Sequence, residues 1–196
     1  MIQLAFEPAF DPFHSAFRLL RQLEYGGAKQ VFLPRLKVLD VFVAEPRRCL
    51  DIRLQGEQKK AARLAAKCQK PTYGHRPSKQ ALFNRMSPMQ DAALQTLVSQ
   101  GFLDQHAFEN KFAQRTTIPL PEPLHDRVTT KNDVEHPLME FVIQALDTIP
   151  VSVRARGVIS GVGDGVFRGG ACPTPECGVA GGHRVHRYGG VCTLQP

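Results

Sequence analysis

Leu33-Pro34-Arg35-Leu36-Lys37-Val38-Leu39-Asp40-Val41-Phe42-Val43-Ala44 is apolar on nearly every side once wound into a helix. Each residue turns the helix by about 100°, so Leu36, Val38, Leu39, Val41, Phe42 and Val43 leave little of the circumference polar. Pro34 suits a first turn and Pro46 bars continuation, which predicts a helix over 33–44. A helix without a polar face belongs in the middle of a fold. Its one carboxylate, Asp40, must then be paired, because an isolated buried charge is strongly unfavourable. Arg18 or Arg21, one predicted helix upstream, is the expected partner. Asp40 is read as a structural group and not as a general acid.

Further helices flank this one. Asp11 is a predicted N-cap with Pro12 at the first helical position. Phe13, Ala16, Phe17, Leu20 and Leu23 then share a face, and Gly26-Gly27 ends the run. A helix over 58–68 carries a narrow stripe of Ala61, Leu64, Ala65 and Cys68, with Lys59, Lys60, Arg63 and Lys67 on its other face. Ser87, Pro88 and Gln90 form a capping-box signature for a fourth helix reaching about Gln100, where Gly101 fits the left-handed terminal position. A fifth, over 133–148, aligns Leu138, Phe141, Val142, Ala145, Leu146 and Ile149. Strand signals are few: a weak alternation over 48–54 and a short edge over 116–120. The fold class is mainly α, a compact helical domain. The exit Leu94-x-x-Leu97-Val98-x-x-Gly101-Phe102-Leu103-Asp104 matches the way winged-helix domains leave their third helix, and equally any amphipathic helix with a glycine stop.

The composition changes at Pro150. The 46 residues beyond it hold eleven of the sixteen glycines, three of the five cysteines and no lysine. So few large apolar side chains do not offset the entropy of ordering such a segment. The expected organisation is a helical domain over 1–150 and a poorly ordered Gly-rich tail over 151–196, a composition that an out-of-frame or otherwise aberrant C-terminus would share. No run approaches the roughly 20 consecutive apolar residues of a membrane span. Glu7, Asp11, Arg18 and Arg21 interrupt the start, which predicts no signal peptide and a cytosolic protein. Cys49 and Cys68 are then expected as reduced, buried or half-buried thiols.

Charge is unevenly placed. Eleven of the 25 basic residues fall in 47–85 against only Asp51 and Glu57, so that segment carries +9 while the remainder is slightly acidic. Within it Lys59, Lys60, Arg63, Lys67, Lys70, Arg76 and Arg85 are the candidate surface for an anionic partner, either nucleic acid or an acidic protein. A solvated helix face is the plain alternative. Catalytic patterns are thin. His14-Ser15 and the thiols Cys49 and Cys68 lack an evident base and orienting carboxylate, paired carboxylates are missing, and no phosphate-binding glycine loop is present, Gly161-Val162-Gly163-Asp164-Gly165 being only a flexible run. The chain is therefore not expected to hydrolyse ATP or to need a cofactor. Cys172, Cys177, His183, His186 and Cys192 are zinc-ligand types at a spacing that fits no familiar finger.

Several short runs, taken in order, carry a resemblance. They are Phe10-Asp11-Pro12-Phe13-His14-x-x-Phe17-Arg18-Leu19-Leu20-x-x-Leu23, Arg35-Leu36-x-x-Leu39-Asp40-x-Phe42, Arg53-Leu54, and 71–97 with Leu82-Phe83-Asn84-Arg85-Met86-Ser87-Pro88-Met89-Gln90 at its centre. This chain resembles a middle-component family, of the type-5 kind, from bacterial ABC-three-component conflict systems. The resemblance spans about 6–150. It implies a small non-enzymatic protein encoded between an ABC-type ATPase and an effector subunit, coupling detection of an invader to release of the effector. It supplies no catalytic residues. Asp11, His14, Phe17, Arg18, Asp40, Arg85, Met86, Pro88 and Gln90 are positions that hold the fold or a subunit interface under this resemblance. The alternative kept beside the adaptor is a winged-helix DNA-binding regulator using the basic segment 47–85.

Overall fold

The computed structural model describes residues 7–27, 29–69 and 77–146, with the backbone of 152–153 and 159–160. The chain is mainly helical, as its periodicity predicts. After a 3₁₀ turn at Pro8–Phe10 come α1 (Pro12–Gly26), β1 (Val31–Phe32), α2 (Leu33–Ala44), a second 3₁₀ turn (Pro46–Asp51), α3 (Gly56–Ala66) and α4 (Lys79–Ser99). α5 (Gln105–Glu109), β2 (Phe112–Ala113), α6 (Glu122–Val134) and α7 (His136–Glu140) follow, and α7 widens into a π turn at Phe141–Ala145. β1 and β2 pair antiparallel, Val31 opposite Ala113 and Phe32 opposite Phe112. Beyond Pro150, β3 (Ser152–Val153) pairs antiparallel with β4 (Ile159–Ser160). The rest of the Gly-rich tail, including Cys172, Cys177, His183, His186 and Cys192, lies outside the described residues, as do Lys70 and Arg76.

α2 occupies the centre with the predicted bounds. Leu36, Val38, Leu39, Asp40, Val41, Phe42 and Val43 are all buried. Apolar packing forms two clusters, and α2 contributes to both: Leu33 and Leu36 to one, Val38 to Val43 to the other. α4 is divided in the same way, with Leu82 and Met86 in one cluster and Ala93, Leu94 and Leu97 in the other.

Asp40, with 0% exposure, lies at this changeover. Arg18 grips it with two bonds, Nε donating to Oδ1 at 2.8 Å and Nη2 to Oδ2 at 3.0 Å. Gln90 Nε2 donates to Oδ2 at 2.9 Å and to the Lys37 carbonyl at 3.0 Å. Arg18 also donates to the Pro8 carbonyl and to Ser15 Oγ, each at 3.0 Å. One carboxylate thereby ties together the N-terminal turn, α1, α2 and α4. Arg18 is thus the partner, whereas Arg21 turns to α6, donating to Asn132 Oδ1 at 2.9 Å and Glu135 Oε2 at 2.8 Å.

This node explains two corrections to the sequence reading. Asp11 caps α1 as predicted, accepting from the His14 amide at 2.9 Å. Leu20 and Leu23 are buried as predicted, but the inward face also takes Ser15, Arg18, Leu19, Arg21 and Gln22, and Phe13 points out. With Arg18 brought to Asp40, the start of the stripe, Phe13, is left exposed while Phe17 packs half-buried against the core. Second, α4 does not begin at Ser87. It begins nine residues earlier, capped by Ser78 Oγ accepting from the Ala81 amide at 3.1 Å, and Pro88 lies inside it. Ser87 and Gln90 are claimed instead by α2: Lys37 Nζ donates to Ser87 Oγ at 2.6 Å, one turn from the Gln90–Asp40 bond. Pro88 removes one ladder donor, which a long helix held on two sides tolerates.

Other elements shift for local reasons. In α3 the buried stripe is Ala62, Ala65 and Ala66, one step round from the expected Ala61, Leu64, Ala65 and Cys68, so Leu64 faces solvent. The helix expected over 133–148 is interrupted at Glu135, because Pro137 has no amide to continue α6 and suits only a fresh first turn. Leu138, Phe141, Val142 and Leu146 are nevertheless buried. The weak alternation over 48–54 begins as a 3₁₀ turn, where Arg48 is buried between Glu45, Asp51 and the Pro77 carbonyl. After α4 the glycine stop is present: Gly101 has φ 75°, with Phe102 N–H bonding the Leu97 carbonyl and Gly101 N–H that of Val98. Leu103 then bridges to Arg115 around α5, and 116–120, read as an edge strand, forms none.

Removing the carboxylate should leave Arg18 buried and unpaired. Asp40→Ala is expected to cost about 3–5 kcal/mol. Urea denaturation should show a comparable loss for Arg18→Met, and a double-variant loss smaller than the sum of the two.

Candidate functional site

Of the reactive groups read from the sequence, Ser15 and Cys49 are buried. Ser15 is buried and its hydroxyl accepts from Arg18, while His14 is exposed. Cys49 is fully buried, and burial pushes its thiol up to about 12, far from the thiolate a nucleophile needs at neutral pH. Cys68 is half-buried and its thiol is also raised, chiefly by burial. Among the described residues no group of three His, Cys, Asp or Glu is placed to hold a metal ion, and no helix is long and apolar enough to cross a membrane.

An apolar groove of about 870 Å³ lies between the N-terminal half of α1 and α6. Phe13 on one wall is 81% exposed and Val134 on the other is 70% exposed. Phe17 and Leu124 add half-buried surface between them. Arg18 and Arg21 underlie the groove, their charges already met by Asp40 and Glu135. The polar rim includes Asp126, Arg127 and Lys131. α6 itself was not legible: it buries only Val128 and Asn132, and it is held by the Arg21 fork and by Asn132 donating back to the Arg21 carbonyl at 3.2 Å. The one signal available was Pro123 in a first turn with Leu124 and Val128 four apart.

The basic residues do not assemble into one patch. Lys59, Lys60 and Arg63 on α3, and Lys67 at its C-terminal cap, are exposed as predicted, and among the described residues only Lys60 of these has an ion-pair partner, Glu57 at 2.6 Å. Arg85 sits on α4 with its guanidinium 3.9 Å above the Phe10 ring, a cation–π contact that anchors the N-terminal turn. Arg48 is buried in its own ion pairs, and Lys79 donates to the Asp51 carbonyl at 3.3 Å. Arg48, Lys79 and Arg85 of the +9 segment are thus engaged in the fold, and Lys59, Arg63 and Lys67 are exposed at α3.

Residues 4–155 match the family model of the ABC-three component (ABC-3C) system Middle Component 5. The chain belongs to that family. No curated protein and no solved structure matches it. For a Middle Component 5 protein the name itself places it among the other components of an ABC-3C system, which fits a role in defence. The match reaches past Pro150 to the region of β3.

The raised Cys49 thiol carries a pH signature. An unfolded thiol ionises near 9 and the folded one near 12, so burial adds stability that is complete below pH 9 and is lost as pH rises toward 12. Urea midpoints should fall between pH 8.5 and 10.5, and fall less in Cys49→Ala. Alkylation of Cys49 by iodoacetamide at pH 8, followed by peptide mass spectrometry, should run at least about tenfold slower in the folded than in the unfolded chain.

Proposed function

We propose that this chain is a non-enzymatic adaptor, cytoplasmic in location, that couples an ABC-type ATPase to an effector subunit in a bacterial anti-invader system. One observation carries this beyond family membership: the α1–α6 groove exposes Phe13 and Val134 over a floor whose charges are already neutralised internally. Apolar side chains at such exposure contribute nothing to the fold of the free chain, and covering a patch of this kind is a principal driving force of stable protein association. The inert Cys49 thiol and the structural use of Asp40, Arg18 and Ser15 support a binding role over a catalytic one. In this reading the groove receives a component of the same system, and the helical core acts as a rigid spacer between the two partners.

The DNA-binding alternative finds no wing strand in 116–120, although a short antiparallel pairing follows α4, with Leu103 bridging Arg115 and β2 beside β1. The test is co-expression of the native gene cluster with a tag on this chain. Phe13→Asp with Val134→Asp should reduce recovery of the ATPase or the effector at least about tenfold, the equivalent of losing one well-buried anchor. Both positions are surface sites, so the melting temperature should move by no more than about 2 °C. Full recovery of both partners with the double variant would exclude the groove as a contact. Loss of every partner from the wild-type chain would exclude the adaptor itself.

A further inference from the structure

α3 offers a second surface with a different chemistry. Its exposed side places Lys60, Arg63 and Lys67 within two turns of one another, and Leu64, 52% exposed, borders them on the side that faces α7. Between the two helices lies a hollow of about 530 Å³, lined by Lys60, Leu64, Pro137 and Phe141, with the carboxylates of Glu57 and Glu140 at its edge. Arg63 and Lys67 form no ion pair among the described residues.

This combination discriminates between two classes of anion. A nucleic-acid backbone presents a continuous row of phosphates and is best met by an unbroken positive face, with aromatic side chains where bases stack. Here two carboxylates stand beside Lys60, and the side chain at the border of the cations is aliphatic and not aromatic. A protein segment with acidic residues and one apolar anchor fits both halves: its carboxylates meet Lys60, Arg63 and Lys67, and the anchor covers Leu64 in the hollow.

We infer that α3 and the hollow beside α7 form a docking site for an acidic protein segment carrying an aliphatic anchor residue. This deepens the adaptor reading and rests on it, because it assigns the α3 face to a second protein partner. The charges set the rate and orientation of encounter, and Leu64 determines which acidic segments stay bound.

Fluorescence anisotropy with the full chain tests the site without knowledge of the natural partner. Three labelled probes are compared at one salt concentration: the peptide Glu-Glu-Leu-Glu-Glu-Leu-Glu-Glu, the same peptide with Gly for Leu, and a 20-base-pair DNA duplex. The leucine peptide should bind at least about tenfold tighter than the glycine peptide. Leu64→Gln should abolish that difference and leave the glycine peptide unaffected, whereas Arg63→Gln with Lys67→Gln should weaken both peptides. The melting temperature should be unchanged in each variant, since all three positions are exposed. Equal binding of the two peptides overturns the proposal. So does a duplex that binds more tightly than either peptide and is indifferent to Leu64→Gln, which would make α3 a nucleic-acid face. If the peptides fail while the gene-cluster complex still purifies, the α3 site falls and the adaptor reading stands.

Discussion

A carboxylate with no access to water has to be matched by donors, and in this chain that requirement organises everything around it. Asp40 is the one carboxylate of a largely apolar helix. Arg18 from α1 and Gln90 from α4 converge on it, so the three longest elements of the first hundred residues are fixed to one another at a single point. The point is also where two apolar clusters meet, which is where purely hydrophobic packing would leave the register of α2 against α4 least defined. Directional bonds specify that register more sharply than dispersion can.

The node determines the surface as well as the interior. Turning Arg18 inward leaves Phe13 outward, and Arg21, one turn further on, reaches α6 instead of α2. α6 has too little apolar surface to pack by itself, so it stands on that arginine fork and leaves a groove between itself and α1. The exposed phenyl ring is thus a consequence of the buried ion pair. In the same way Arg48 and Arg85 are taken up by Glu45, Asp51 and Phe10, while the cations of α3 stay exposed. Membership of Middle Component 5 gives these two surfaces a context, a chain that works among the other components of its system.

What could be read from the sequence follows from this division between local and tertiary signals. α2 was legible because its pattern is extreme and prolines bound it at both ends. The pairing of Asp40 with an arginine on α1 was legible because burial leaves a carboxylate few alternatives. The start of α4 was not, since Ser87, Pro88 and Gln90 satisfy a local capping rule while their side chains serve a tertiary one. The facing of α1 was misread for the same reason: a hydrophobic periodicity places phenyl rings inside, and nothing local says that Arg18 outranks them. α6 was invisible because its stability comes from one distant residue, Arg21. Of the basic candidates, Lys59, Lys60, Arg63 and Lys67 are exposed as the helical pattern implied, whereas Arg85 lies over the Phe10 ring and pins the N-terminal turn.

The central claim is that a rigid core, fixed at Asp40, carries binding surfaces that change state while the core does not. Hydrogen exchange of the chain alone and within its purified gene-cluster complex tests this most directly. Amides of 38–41 and 88–93 should exchange slowly and equally in both states, while protection rises along 12–17, α6 and α3. A change in exchange at the Asp40 node on assembly, with 12–17, α6 and α3 unaltered, would contradict the account.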